Sequence, residues 1–159
     1  MQEHGFKQSD WSLEDLLPAS AGPAFEELLN QLKQQVRTLE DERDRLSPEM
    51  SHEAFRELME LSESIRTTQT RLMGYARLWF AEDTQSQAAL AFLGRMEQLV
   101  TEIENRLLFF DLWWKGLEED AAQRLLDKSG DYAYYLRTLR RFRPHTLSES
   151  EEKIINLKD

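Results

Sequence analysis

The chain has 159 residues, 40% of them hydrophobic, 10% aromatic and 31% charged, with a formal net charge of −10 and no cysteine. That length supports one domain with a substantial core, and the apolar content excludes a disordered tail. The acidic balance excludes a general affinity for nucleic acid or anionic lipid, and the missing thiols exclude disulfides, Cys-ligated zinc and thiol catalysis. The start, Met1-Gln2-Glu3-His4-Gly5-Phe6-Lys7, holds no apolar signal core, and no apolar run approaches a membrane span, so the expected location is cytoplasmic.

Residues 1–10 read as a flexible tail. Trp11-Ser12-Leu13-Glu14-Asp15-Leu16-Leu17-Pro18 follows as one or two helical turns, with Ser12 as cap, Asp15 in place of the usual glutamate and Trp11 stapled onto Leu16. The first long helix starts at Gly22-Pro23, a cap and first-turn pair. Its apolar residues Phe25, Leu28, Leu29, Leu32, Val36, Leu39 and Leu46 line one face, and Ser47-Pro48-Glu49 ends it and starts the next. The second helix carries Phe55, Leu58, Met59, Ile65, Leu72, Ala76, Trp79 and Phe80 and runs to about Asp83. Thr84 and Gln87 form a capping-box pattern for the third, which proceeds through Phe92, Met96, Leu99, Val100, Ile103, Leu107, Phe110 and Trp114. At 1.5 Å per residue it reaches on the order of 50 Å. Glu118 to Lys128 is a short helix closed by Ser129-Gly130, and Asp131 caps another bearing Tyr135, Leu136, Leu139 and Phe142.

Short connections make neighbouring helices antiparallel. The expected fold is therefore all-α, an antiparallel bundle of three long helices with shorter helices at both ends, and 1–159 forms a single helical domain. Pro144 disfavours a helical Arg143 and helps end the preceding helix, while Thr146 with Glu149 and Ser148 with Glu151 satisfy the capping-box pattern. Ile154, Ile155 and Leu157 then begin an apolar stripe, so residues 148–159 are the start of a helix that no Gly, Asn or Pro closes. Either that helix frays at a natural end, or it continues in a longer chain.

The residues offer little chemistry of their own. Ser51-His52-Glu53-Ala54-Phe55-Arg56 has Arg56 where the H-E-x-x-H zinc motif needs its second histidine. Glu49-Met50-Ser51-His52 resembles half of a di-iron Glu-x-x-His site, but neither His4 nor His145 has a glutamate three residues earlier to complete it, and an exposed histidine at a helix start is the favoured reading. Phosphate loops and dinucleotide fingerprints need clustered glycines, and the six here are scattered. Arg137, Arg140, Arg141 and Arg143 are the residues to grip an anion, yet complementing a helix C-terminus or pairing with carboxylates is the favoured role. In Leu107-Leu108-Phe109-Phe110-Asp111-Leu112-Trp113-Trp114 only Asp111 is polar, so this stretch must be covered on more than one side. Phe109, Phe110, Trp113 and Trp114 are the candidates, either as core of a central bundle helix or as a surface that another domain or chain covers.

The same residues resemble the bacterial oligoendopeptidase F family, zinc peptidases of the thimet-oligopeptidase-like group. The resemblance rests on the order and spacing of Trp11 to Pro18, Tyr75-Ala76 with Asp83-Thr84, Asn105-Arg106-Leu107-Leu108-Phe109-Phe110, and Arg143-Pro144-His145-Thr146-Leu147-Ser148 with Glu151-Glu152-Lys153-Ile154. It implies a non-catalytic, helical N-terminal domain of a longer zinc metalloendopeptidase, forming a cleft wall or lid that gates oligopeptide substrates. The implied partner is the chain's own C-terminal catalytic domain, which would hold the zinc on H-E-x-x-H with a further acidic ligand. No catalytic, metal or cofactor position of the family can be carried onto these residues, so the chain alone is expected to bind no zinc and cleave no peptide. Self-association of an uncovered surface is a further expectation. The alternative is an independent helical interaction module presenting the aromatic stretch of the third helix.

Overall fold

The computed structural model describes residues 12–156, and every regular element among them is helical. The fold is all-α. Its three long helices are α1, Pro23–Asp41, α2, His52–Glu82, and α3, Gln87–Gly116; α4, Glu119–Leu126, α5, Ala133–Arg141, and α6, Glu149–Asn156, follow. The expected Trp11 staple, the tail 1–10 and Leu157 lie outside the described residues.

Cap chemistry sets these boundaries, and several differ from expectation. Gly22, at φ 95°, adopts a left-handed conformation that favours glycine and leads into Pro23, which opens α1. That helix stops at Asp41 instead of reaching Leu46. Glu40 to Arg45 supplies no apolar residue to bury, its acids crowd the negative end of the helix dipole, and the chain tightens into a 3-10 turn over Arg43–Arg45. The second helix starts at His52, after Pro48-Glu49, because the Ser51 hydroxyl accepts the Ala54 N–H at 3.1 Å. For α3 the cap is Ser86, whose Oγ accepts the Ala89 N–H at 3.3 Å, and Thr84 lies in the preceding turn that Asp83 closes through the Gln85 N–H. Asp131 does not cap α5 either. Gly130, at φ 54°, opens a 3-10 turn over Gly130–Tyr132 that runs directly into Ala133. Near the start, Leu16 and Leu17 both donate to the Leu13 carbonyl at 3.0 Å, which makes one turn and no regular helix. Arg71 grips that turn through the Leu16 carbonyl, and Leu17 is buried.

Paired contacts fix the helix directions. Tyr75 and Trp79, late in α2, pack on Phe92, early in α3, while Phe55, early in α2, stacks on Trp114, late in α3, at 5.3 Å between ring centroids. These two helices are therefore antiparallel. Phe25 at the head of α1 meets Phe92 and Glu40 near its tail meets Arg106, so α1 runs parallel to α3. Val36, Ile65, Leu72 and Ile103 fill the middle of the core between the two aromatic clusters. Burial of this apolar interior is the main source of stability.

Candidate functional site

The aromatic stretch of α3 lies against the bundle. Phe109, Phe110 and Trp114 are each no more than 5% exposed, and Trp113 is half-buried, stacked on Phe110 at 5.8 Å. Arg43 lies over the Phe109 ring at 5.0 Å. The Trp114 indole N–H donates to the Leu136 carbonyl at 2.9 Å, which satisfies its polar edge inside the core and ties α5 to α3. Apolar cover on several sides is what a helix hydrophobic around most of its circumference requires.

The arginine cluster divides by role. Arg140 is largely buried over Trp114; its Nη1 donates to the Trp114 and Leu117 carbonyls at 3.1 and 3.0 Å, and its Nη2 bonds Glu119 at 2.8 Å. It thus satisfies the orphan carbonyls at the end of α3, a helix other than its own. Arg143 reaches Glu118 at 3.4 Å. Arg137 and Arg141 are exposed and have no ion-pair partner among the described residues. A second arginine with a structural role gave no signal in the sequence. Arg124 donates to the Pro48 and Met50 carbonyls at 2.6 and 2.7 Å, binding α4 to the link between α1 and α2. Backbone carbonyls carry no residue-type signature, so such a contact is invisible before the fold is known.

Along the seam of α2 and α3 lies a groove of about 930 Å³. Its lining is mixed, with Arg66, Thr70, Glu97 and Glu104 beside Met73 and Leu108, and it includes an Arg66 to Asp111 ion pair at 3.2 Å. Gln69, also in the lining, is buried, and its Nε2 has no hydrogen-bond partner among the described residues. Elsewhere, Glu40 is held below the usual carboxylate range chiefly by hydrogen bonds from Arg106, and the Tyr132 hydroxyl, donating to Glu63 at 2.7 Å, is pushed up to about 12. Burial also raises Tyr135.

No group of three His, Cys, Asp or Glu among the described residues is placed to hold a metal ion. His52 sits at the head of α2 with its Nδ1 buried and without a hydrogen-bond partner among the described residues, and His145 lies exposed in the 3-10 turn Arg143–His145. The donors among the described residues do not fit a zinc site. Among the described residues, no helix is long and apolar enough to cross a membrane.

The final helix has the capping box expected for Ser148 and Glu151. The Ser148 N–H donates to Glu151 Oε2 at 3.0 Å, and the Glu151 N–H points back to Ser148 Oγ at 3.4 Å. Thr146 instead donates to the Phe142 carbonyl. Phe142, expected on the packed face of α5 with Leu136 and Leu139, falls just beyond that helix and is 57% exposed.

These features define an all-α domain whose polar clusters serve helix ends and helix pairs. Residues 113–159, from Trp113 in α3 through α6, match the family described as Oligopeptidase F. Over that stretch the chain is similar to oligopeptidase F. No curated protein matches it, and no solved structure does.

Proposed function

We propose that this chain is the non-catalytic N-terminal domain of an oligoendopeptidase F-like zinc metalloendopeptidase, forming a cleft wall or lid that gates oligopeptide substrates. The match of residues 113–159 to Oligopeptidase F carries the proposal. In this reading the zinc, and the water activation it supplies, belong to a catalytic domain, the partner of this one. The residues here exclude bulk water and oversized substrates and act before the chemistry. The groove along α2 and α3 supports the reading, since its mixed polar lining can hydrogen-bond an extended peptide. A cytoplasmic setting accords with it. The presentation of the α3 aromatics by a free-standing module finds less support, because Phe109, Phe110 and Trp114 are buried.

Measuring the mass of the native product and the effect of deleting this domain tests the proposal. A longer product whose cleavage of short peptides drops, or whose length selection relaxes, on deletion of residues 1–159 is the expected result. A native product ending at Asp159, or an enzyme indifferent to the deletion, overturns it.

A further inference from the structure

The last helix is turned the opposite way from the rest of the molecule. Glu149, Glu152, Lys153 and Asn156 form the half-buried side of α6, while Ile154 and Ile155 are 56% and 43% exposed, and α6 has no buried residue. Polar groups provide the attachment: Arg43 Nη2 to Glu149 at 2.7 Å, Lys153 to Glu149 at 2.7 Å, and Asn156 Nδ2 to Asn105 Oδ1 at 3.0 Å. An amphipathic helix in water hides its apolar stripe, so an apolar stripe facing outward marks a place for something else.

Nearby residues extend that surface. Leu147 is 45% exposed before α6, and Phe142 precedes it across the 3-10 turn Arg143–His145. On α5, Tyr134, Arg137 and Arg141 fall three and four positions apart on the outward face, and Tyr134 is 76% exposed. Aromatics with arginine are the composition of an interface, and in a chain of net charge −10 these two arginines without ion-pair partners among the described residues call for carboxylates from outside.

We infer that the outer face of residues 134–155, with Tyr134, Phe142, Leu147, Ile154 and Ile155 as apolar contacts and Arg137 and Arg141 at its edge, docks on the catalytic domain of the same polypeptide, against an apolar patch rimmed by carboxylates. The inference rests on the proposed function and names the seam that it leaves undefined. The extent of the family match favours this occupant over a second copy of the chain. The segment matched to Oligopeptidase F contains the whole face and leaves α1 and α2 outside it, which fits a partner common to such enzymes, and a covalently tethered partner is held at high effective concentration.

The cysteine-free sequence makes the test direct. Ile155→Cys and Tyr134→Cys are placed singly in the 159-residue chain and in the full-length enzyme, with Leu90→Cys, 48% exposed at the other end of α3, as reference. Maleimide labelling is timed by mass. The expected result is labelling at the Leu90→Cys rate in the short chain and at least tenfold slower labelling of Ile155→Cys and Tyr134→Cys in the enzyme, with Leu90→Cys unchanged. Equal rates in both contexts overturn the inference while leaving the proposed function standing. Protection in the short chain that disappears on dilution assigns the face to a second copy and also overturns it. A native mass of the short chain alone ends both readings before any labelling.

Discussion

The two ends of α3 and its neighbour α6 make opposite use of apolar side chains. At the α3 ends, Phe25, Tyr75, Trp79 and Phe92 form one cluster and Phe55, Phe110, Trp113 and Trp114 another, each closed by residues of this chain. Against the flank of the same helix, α6 lays down its charged and amide groups and turns its isoleucines to solvent. The first arrangement keeps its stabilising free energy inside the chain. The second leaves it to be realised on contact with a partner, and an eight-residue helix without buried side chains is marginal by itself.

Trp114→Ala breaks the comparison most severely. It removes a nearly fully buried indole, its stack on Phe55 and its hydrogen bond to Leu136, so the expected cost is about 3–5 kcal/mol. In a chain of this size that lowers the melting temperature by roughly 10 °C. Ile155→Ala, at an exposed site, is expected to change stability by about 0.5 kcal/mol or less. Thermal unfolding of both variants checks the contrast, and similar losses from the two would show that α6 contributes to the core after all.

Arg140→Ala comes next. Two carbonyls at the end of α3 lose a charged donor, and the predicted loss is about 2 kcal/mol, read by urea unfolding. Arg137→Ala, on the outward face of α5, is expected to leave the urea midpoint in place.

The helical periods were readable because they are local, and so was the Ser148 and Glu151 box, whose two bonds span three residues. Cap choice was less readable. Thr84 and Ser86 both offer hydroxyls near the head of α3, and the turn closed by Asp83 decided for Ser86. Leu46 and Phe142 continue the apolar spacing of α1 and α5 on paper, yet each helix stops first, and the residue leaves the face that the period assigns it. Which side of α6 faces α3 was not legible at all. A stripe of Ile154 and Ile155 looks core-facing until Arg43 and Asn105, remote in sequence, claim the polar side.

A gentler change separates α6 from the bundle locally. Ser148→Ala deletes the side-chain half of the capping box, a loss of about 1 kcal/mol to the helix. A helix with no buried residue is expected to open without unfolding the core, so amide exchange over 149–156 should accelerate several-fold while the melting temperature holds. Faster exchange throughout α3 would mean that the two helices open together.

The smallest effect concerns pH. Hydrogen bonds from Arg106, ahead of its nearby charge, lower the Glu40 pKa in the folded chain below the ordinary 4.5. A depressed carboxylate stabilises the fold above its unfolded pKa and loses that contribution as pH falls through the folded one. Arg106 and Glu40 are each about one-third exposed, so solvent and salt screen the pair. Glu40→Gln should therefore melt slightly below the native chain at pH 7, and the gap should close as pH drops below 4.5. Glu149, lowered by its bonds from Lys153 and Arg43, falls in the same acid window but holds only α6, so Glu149→Gln should alter amide exchange there and leave the melting curve alone. A melting gap for Glu149→Gln as large as that for Glu40→Gln would place α6 within the cooperative core and erase the distinction between the two regions.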